Sequence, residues 1–173
     1  MPRTELDALL DDARHAHTSV LFISCGGEVL ADETMDGQGD RPIATMSVTK
    51  AVLSLLVGRA VTLGHLPGVD LPVHEVFPEW RQGRKRDVTL RHLMTHTSGL
   101  QNVPHAGQEV YASEDRLQLA LCAELDAAPG TQFSYNNKAM ALIAGLLERV
   151  TGRRLETFAR EDLLGPLGIT DWH

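Results

Sequence analysis

Between Ser47 and Leu63 the chain carries Val48, Ala51, Val52, Leu53, Leu55, Leu56, Val57, Ala60, Val61 and Leu63, with few polar residues among them. A segment this apolar and this long has no polar face to turn to water. If helical, it belongs at the centre of a folded unit. Gly64 supplies a stop signal just past its end. Lys50 therefore sits on an element expected to be interior, which is a costly place for an ammonium group. Ser47 opens the same segment, three residues before it.

The flanking pattern is mixed. Thr4 to Ala16 carries Glu5, Asp7, Asp11 and Asp12 between its leucines. It reads as an amphipathic surface helix with Leu6, Leu9, Leu10 and Ala13 on one face. Ser19 to Ser24 and Glu28 to Ala31 are separated by Gly26-Gly27 and predict a two-stranded hairpin. After Thr45 the pattern is helix and loop. A short helix is expected from about Leu90 to Thr95, and others near Ser113 to Leu125, over Asn137 to Thr151 with Gly152 past the end, and over Leu155 to Leu164. The fold class is α+β. An isolated hairpin is marginal in water, so this one reads as lacking sheet partners.

Ser47-Val48-Thr49-Lys50 is an S-x-x-K. On a helix the first and last residues of that motif share a face. A serine hydroxyl becomes a nucleophile when a neighbouring base takes its proton. A lysine can be that base when burial disfavours its charged form. The bland alternative is that Ser47 caps the helix and Lys50 reaches out to solvent. Tyr135-Asn136-Asn137 is a Y-x-N that follows Pro129-Gly130 and precedes an apolar helix. Tyr135 offers a phenol able to share a proton with serine and lysine, as base in acylation or as acid for the leaving group. Asn137 can hydrogen-bond the lysine and a substrate carbonyl. The alternative for this pair is a packed ring and a helix cap.

Four segments in order carry a resemblance: SVTK at 47–50, LRHLMTHTSGL at 90–100, PGTQFSYNN at 129–137 and LGPLGITDW at 164–172. Together they resemble the signatures of the serine β-lactamase-like family, which includes class C β-lactamases, D-alanyl-D-alanine carboxypeptidases and related carboxylesterases. The resemblance runs from the N-terminal helix to the last residue. It implies that Ser47 is acylated, that Lys50 activates it, that Tyr135 relays protons and that Asn137 orients substrate. The turn through Thr95, His96, Thr97, Ser98 and Gly99 is structural in that family. The implied fold is the β-lactamase and penicillin-binding-protein fold, an antiparallel sheet flanked by helices with a helical region inserted after the nucleophile helix. Residues 1–173 then form the N-terminal part of one such domain. The family's K-T-G or H-x-G motif, which lies on a later strand, has no counterpart after Tyr135. That strand supplies the second N–H of the oxyanion hole and one wall of the cleft, so the chain alone is expected to have reduced activity or none.

The implied substrates are small-molecule esters, amides or β-lactams. No cofactor is expected. His92 and His96 are four residues apart, but without a third ligand they do not make a metal site. A net charge of -7 argues against nucleic acid as a partner. The basic run Arg81 to Arg86 reads as a solvated loop. No stretch reaches the roughly 20 apolar residues of a membrane span. The acidic first helix does not look like a secretory leader, and Cys25 and Cys122 form no framework, so a cytoplasmic location is expected. An unpaired sheet edge predicts self-association or a complementing C-terminal half. The competing reading is a non-catalytic remnant that binds a partner through that edge.

Overall fold

A computed structural model describes residues 3–39 and 41–172. The chain divides into two compact units, Met1–Ala44 and Thr45–His173.

The first unit holds helix α1 (Arg3–His15) and strands β1 (Val20–Cys25) and β2 (Glu28–Thr34). The strands pair antiparallel, with Cys25 opposite Glu28 and Val20 opposite Thr34. The connecting pair Gly26-Gly27 has φ of 59° and 85°. Two consecutive positive φ values make the tight turn whose twist matches a hairpin, and glycine adopts them without a Cβ clash. The register slips between Ile23 and Ser24. Among the described residues the sheet has two strands. Phe22 and Val29 are 59% and 55% exposed, the exposure expected of a hairpin without sheet partners.

The second unit is helical. Its elements are α2 (Thr49–Thr62), α3 (Leu90–Met94), α4 (Arg116–Cys122), α5 (Asn137–Thr151) and α6 (Leu155–Ala159), joined by turns of 3-10 helix. A π-helical stretch, Arg160–Leu164, continues α6. Helix α5 is the hub and packs against α2, α3, α4 and α6. Its ends match the sequence reading: Asn136 caps it by accepting the Lys138 N–H, and Gly152 closes it with φ 67°. Leu142, Leu146 and Leu147 are buried along it, together with Val57 and Ala60 of α2, Leu90 and Leu93 of α3, and Phe158 of α6. Gly145 lets α4 approach, because a Cβ there would run into Leu117. Trp80 is buried and donates its indole N–H to the Leu121 carbonyl at 3.0 Å.

Two expectations need correcting. Helix α2 is not interior on every side. It buries Leu53, Leu56, Val57 and Ala60, while Val48 and Leu55 are 65% and 59% exposed. The buried stripe faces α5, and the opposite face is left open among the described residues. The basic run is also not simply solvated. Arg84 donates to the Leu125 carbonyl at 2.8 Å, and half-buried Lys85 donates to the Leu121 carbonyl and lies against the Trp80 ring. These two side chains tie the 83–87 turn to the end of α4, where free carbonyls attract cations.

Candidate active site

Ser47 lies in a 3-10 turn, Met46–Val48, that leads into α2. Met46, just before it, has φ 48° and is 76% exposed. A left-handed backbone at a non-glycine residue is uncommon and costs energy. It turns the chain sharply into the helix at the point where Ser47 is presented.

Lys50 follows on the same face. Its Nζ donates to Ser47 Oγ at 3.3 Å. It is half-buried rather than interior, because α2 leaves its outer face open. Tyr135 comes from the far end of the unit, just ahead of α5. Its hydroxyl donates to Ser47 Oγ at 2.8 Å, across 88 residues of sequence. Lys50 Nζ also lies 4.8 Å from the centre of the Tyr135 ring. Three of the four residues read from sequence thus converge on one oxygen atom. The Lys50 ammonium, helped by the Ser47 hydroxyl, holds the Tyr135 phenol below the usual tyrosine range.

Asn137 is the fourth. It is buried at the start of α5 and makes no hydrogen bond to Ser47 or Lys50 among the described residues. Its neighbours do more of the local bonding. Asn136 accepts from the Lys138 N–H and donates through Nδ2 to the carbonyls of Leu100 and Gln101. Lys138 is buried, and its ammonium reaches the Gln101 carbonyl at 2.8 Å, the Val103 carbonyl at 3.1 Å and Glu109 at 2.5 Å. These contacts fix the 101–103 loop, from which Asn102 donates to Ser134 Oγ at 3.0 Å. A lysine directly after Y-x-N gave no sequence signal, because burial and loop partners are tertiary properties.

The turn after α3 is the other support. Helix α3 ends at Met94, so His92 and His96 do not share a helix face. His92 instead completes a capping box with Thr89. His96 sits at φ 56° beyond the helix end. Gly99, at φ 76°, packs so close to the Ala127 backbone that any Cβ would collide. The Gly99 carbonyl accepts from the Asp126 N–H, and the Thr97 carbonyl from Gly130. The 96–99 turn and the 126–134 segment are thereby laced together, which carries Tyr135 toward Ser47. Among the described residues no group of three or more His, Cys, Asp or Glu side chains is placed to hold a metal ion, and no helix is long and apolar enough to cross a membrane.

Comparison with known proteins identifies the family and the fold. The family model described as Beta-lactamase matches residues 6–173. The chain is 30% identical to Esterase EstB of Burkholderia gladioli, over 96% of this chain and 50% of that one. It is 32% identical to Monacolin J acid methylbutanoyltransferase of Aspergillus terreus, over 78% of this chain and 38% of the other. The structure superposes on the octameric penicillin-binding protein homologue from Pyrococcus abyssi with a TM-score of 0.75 and 22% identity, covering 97% of this chain and 43% of that one. The chain spans half or less of the length of these relatives. With a match along nearly all of its own length, the chain belongs to the beta-lactamase family.

Proposed function

We propose that this chain carries the nucleophilic part of a serine acyl-transfer site, with Ser47 as nucleophile, that acts on a small ester, amide or β-lactam. The observation that carries this reading is the convergence of Lys50 Nζ and Tyr135 Oη on Ser47 Oγ at 3.3 and 2.8 Å. In the resting arrangement both groups donate to Ser47. Attack requires the serine to give up its own proton, so one partner must first lose one. The lowered phenol and the incomplete burial of Lys50 favour Tyr135 as the base and Lys50 as the fixed cation that stabilises its phenolate. The Ser47 proton then passes to the Tyr135 oxygen as Oγ bonds to the acyl carbon. Tyr135 returns that proton to the departing alcohol, amine or ring nitrogen as its bond to the acyl carbon breaks. Water or a second alcohol releases the acyl group from Ser47. Asn137, buried at the start of α5, is assigned to orienting substrate on the strength of the Y-x-N pattern.

The test is intact mass after exposure of the full chain to a fluorophosphonate. A single adduct is expected, mapping to the peptide that contains Ser47. A folded chain that takes up no label would overturn the reading that Lys50 and Tyr135 activate Ser47 within this chain. It would favour partner binding through the open hairpin edge, which the exposure of Phe22 and Val29 supports.

The role given to Lys50 predicts a spectroscopic effect. The chain has 2 tyrosines, so in a Tyr111→Phe background Tyr135 is the only phenol. Its ultraviolet titration is expected below the ordinary value of about 10. Lys50→Met removes the cation that favours the phenolate, so the transition should move up toward that value. An unmoved transition would remove Lys50 from the role assigned to it.

A further inference from the structure

We propose that His96 is a positioning residue for Tyr135, acting as a neutral imidazole that clamps the backbone after the phenol and stacks on its ring. This rests on the proton-relay role given to Tyr135 above. Three contacts carry it. The His96 carbonyl accepts the Ser134 N–H at 2.8 Å, and its Nδ1 accepts the Asn136 N–H at 3.1 Å. One residue thus holds the chain on both sides of Tyr135. Its ring also lies 4.6 Å from the Tyr135 ring, centre to centre, tilted by 37°. Phe133 closes against the imidazole edge-on at 5.9 Å. The phenol is therefore held by its backbone before, its backbone after and one face of its ring.

The clamp specifies a protonation state. Nδ1 can accept an N–H only when it bears no proton, so the neutral ring must carry its hydrogen on Nε2. An imidazolium would lose the Asn136 bond. Lys50, on α2, is the charged group felt by the ring, and it shares the lining of a small cavity with His96, Ser54, Met94 and Met140. Burial, together with this cation, holds His96 below the usual histidine range, which keeps the acceptor available near neutral pH. The left-handed backbone at His96 also restricts what can replace it, since asparagine tolerates that conformation and can accept a hydrogen bond.

Two measurements test the proposal on the full chain. The first is the nitrogen-15 NMR signature of His96 in the unmodified protein. An unprotonated Nδ1 and a protonated Nε2 are expected, and an Nδ1–H tautomer would overturn the clamp without any variant having to fold. The second compares His96→Phe, which keeps a ring but loses the acceptor, with His96→Asn, which keeps an acceptor but loses the ring. Misplacing a reacting group by about 1 Å costs on the order of 10²-fold. Fluorophosphonate labelling of His96→Phe should fall by about that factor, with partial recovery in His96→Asn. In the Tyr111→Phe background the Tyr135 titration should move up in His96→Phe, because a phenol that drifts loses Lys50 and Ser47. Unchanged labelling and an unchanged titration in both folded variants would overturn the proposal. The titration and the NMR signature do not depend on turnover, so they still read the clamp if the chain proves not to acylate.

Discussion

Ser47→Ala is expected to abolish fluorophosphonate labelling, and Tyr135→Phe to slow it by about 10²–10⁴-fold, the usual contribution of a positioned general base. The two effects differ in kind. Removing Ser47 Oγ removes the atom that forms the bond. Removing only the Tyr135 hydroxyl leaves the nucleophile in place with Lys50 at 3.3 Å, but deletes the partner at 2.8 Å that can take its proton. The phenylalanine ring preserves the contact with His96, so the loss should appear in rate and not in folding. Rates followed by intact mass over a range of pH give a sharper readout. The unmodified chain should gain rate as pH rises through the Tyr135 transition, below the ordinary tyrosine range, because the proposed mechanism uses the phenolate as base. The Tyr135→Phe chain should lack that limb. Labelling in Tyr135→Phe at the rate of the unmodified chain would remove the phenol from the mechanism.

Lys138→Met is expected to destabilise the protein by about 3–5 kcal/mol, the range for breaking one side of a buried ion pair. The Lys138 side chain is 3% exposed and its Glu109 partner 24%. An ammonium has three donors. Here the carbonyls of Gln101 and Val103 and the Glu109 carboxylate provide its three acceptors. Methionine fills similar space but leaves a largely buried carboxylate and the Val103 carbonyl without their donor, and leaves the Gln101 carbonyl with Asn136 alone. Adding Glu109→Gln removes the stranded charge and should recover part of the loss. Urea unfolding checks this through a lowered midpoint with an unchanged slope. An unfolding free energy within about 0.5 kcal/mol of the unmodified protein, the usual range for a surface substitution, would show that the pair contributes little.

The sequence made some features legible and hid others for physical reasons. Helix α5 could be read to its last residue, because its stop is a left-handed glycine and its apolar spacing repeats along a buried face. The Gly26-Gly27 turn was equally explicit. Ser47, Lys50 and Tyr135 stood out as short motifs whose chemistry needs neighbours, and they are neighbours. Helix α2 reads as interior from sequence because composition reports how apolar a helix is and not how many of its sides are covered. Val48 and Leu55 lie on its uncovered side. Arg84 and Lys85 looked solvated because their carbonyl partners lie in α4 and its exit, more than thirty residues away. His96 reads as part of a structural turn, and nothing local distinguishes a turn histidine from one that grips both flanks of a phenol. Lys138 carries no local signal, because a lysine near a helix start is ordinarily exposed.

The distance along the chain between Ser47 and Tyr135 has a consequence for when reactivity arises. Their contact closes a loop of 88 residues, and α3, its turn and the start of α5 must all be in place for it to form. Contacts this remote in sequence form only when most of the surrounding structure has been assembled. Until then the hydroxyl has Lys50 beside it but no phenol, and it remains an ordinary alcohol. On the proposed mechanism, nucleophilicity is therefore a property of the assembled second unit and not of the S-x-x-K segment. On that mechanism an unfolded or newly made chain carries the serine as a latent group, and its chemistry arrives in the same event that secures the fold.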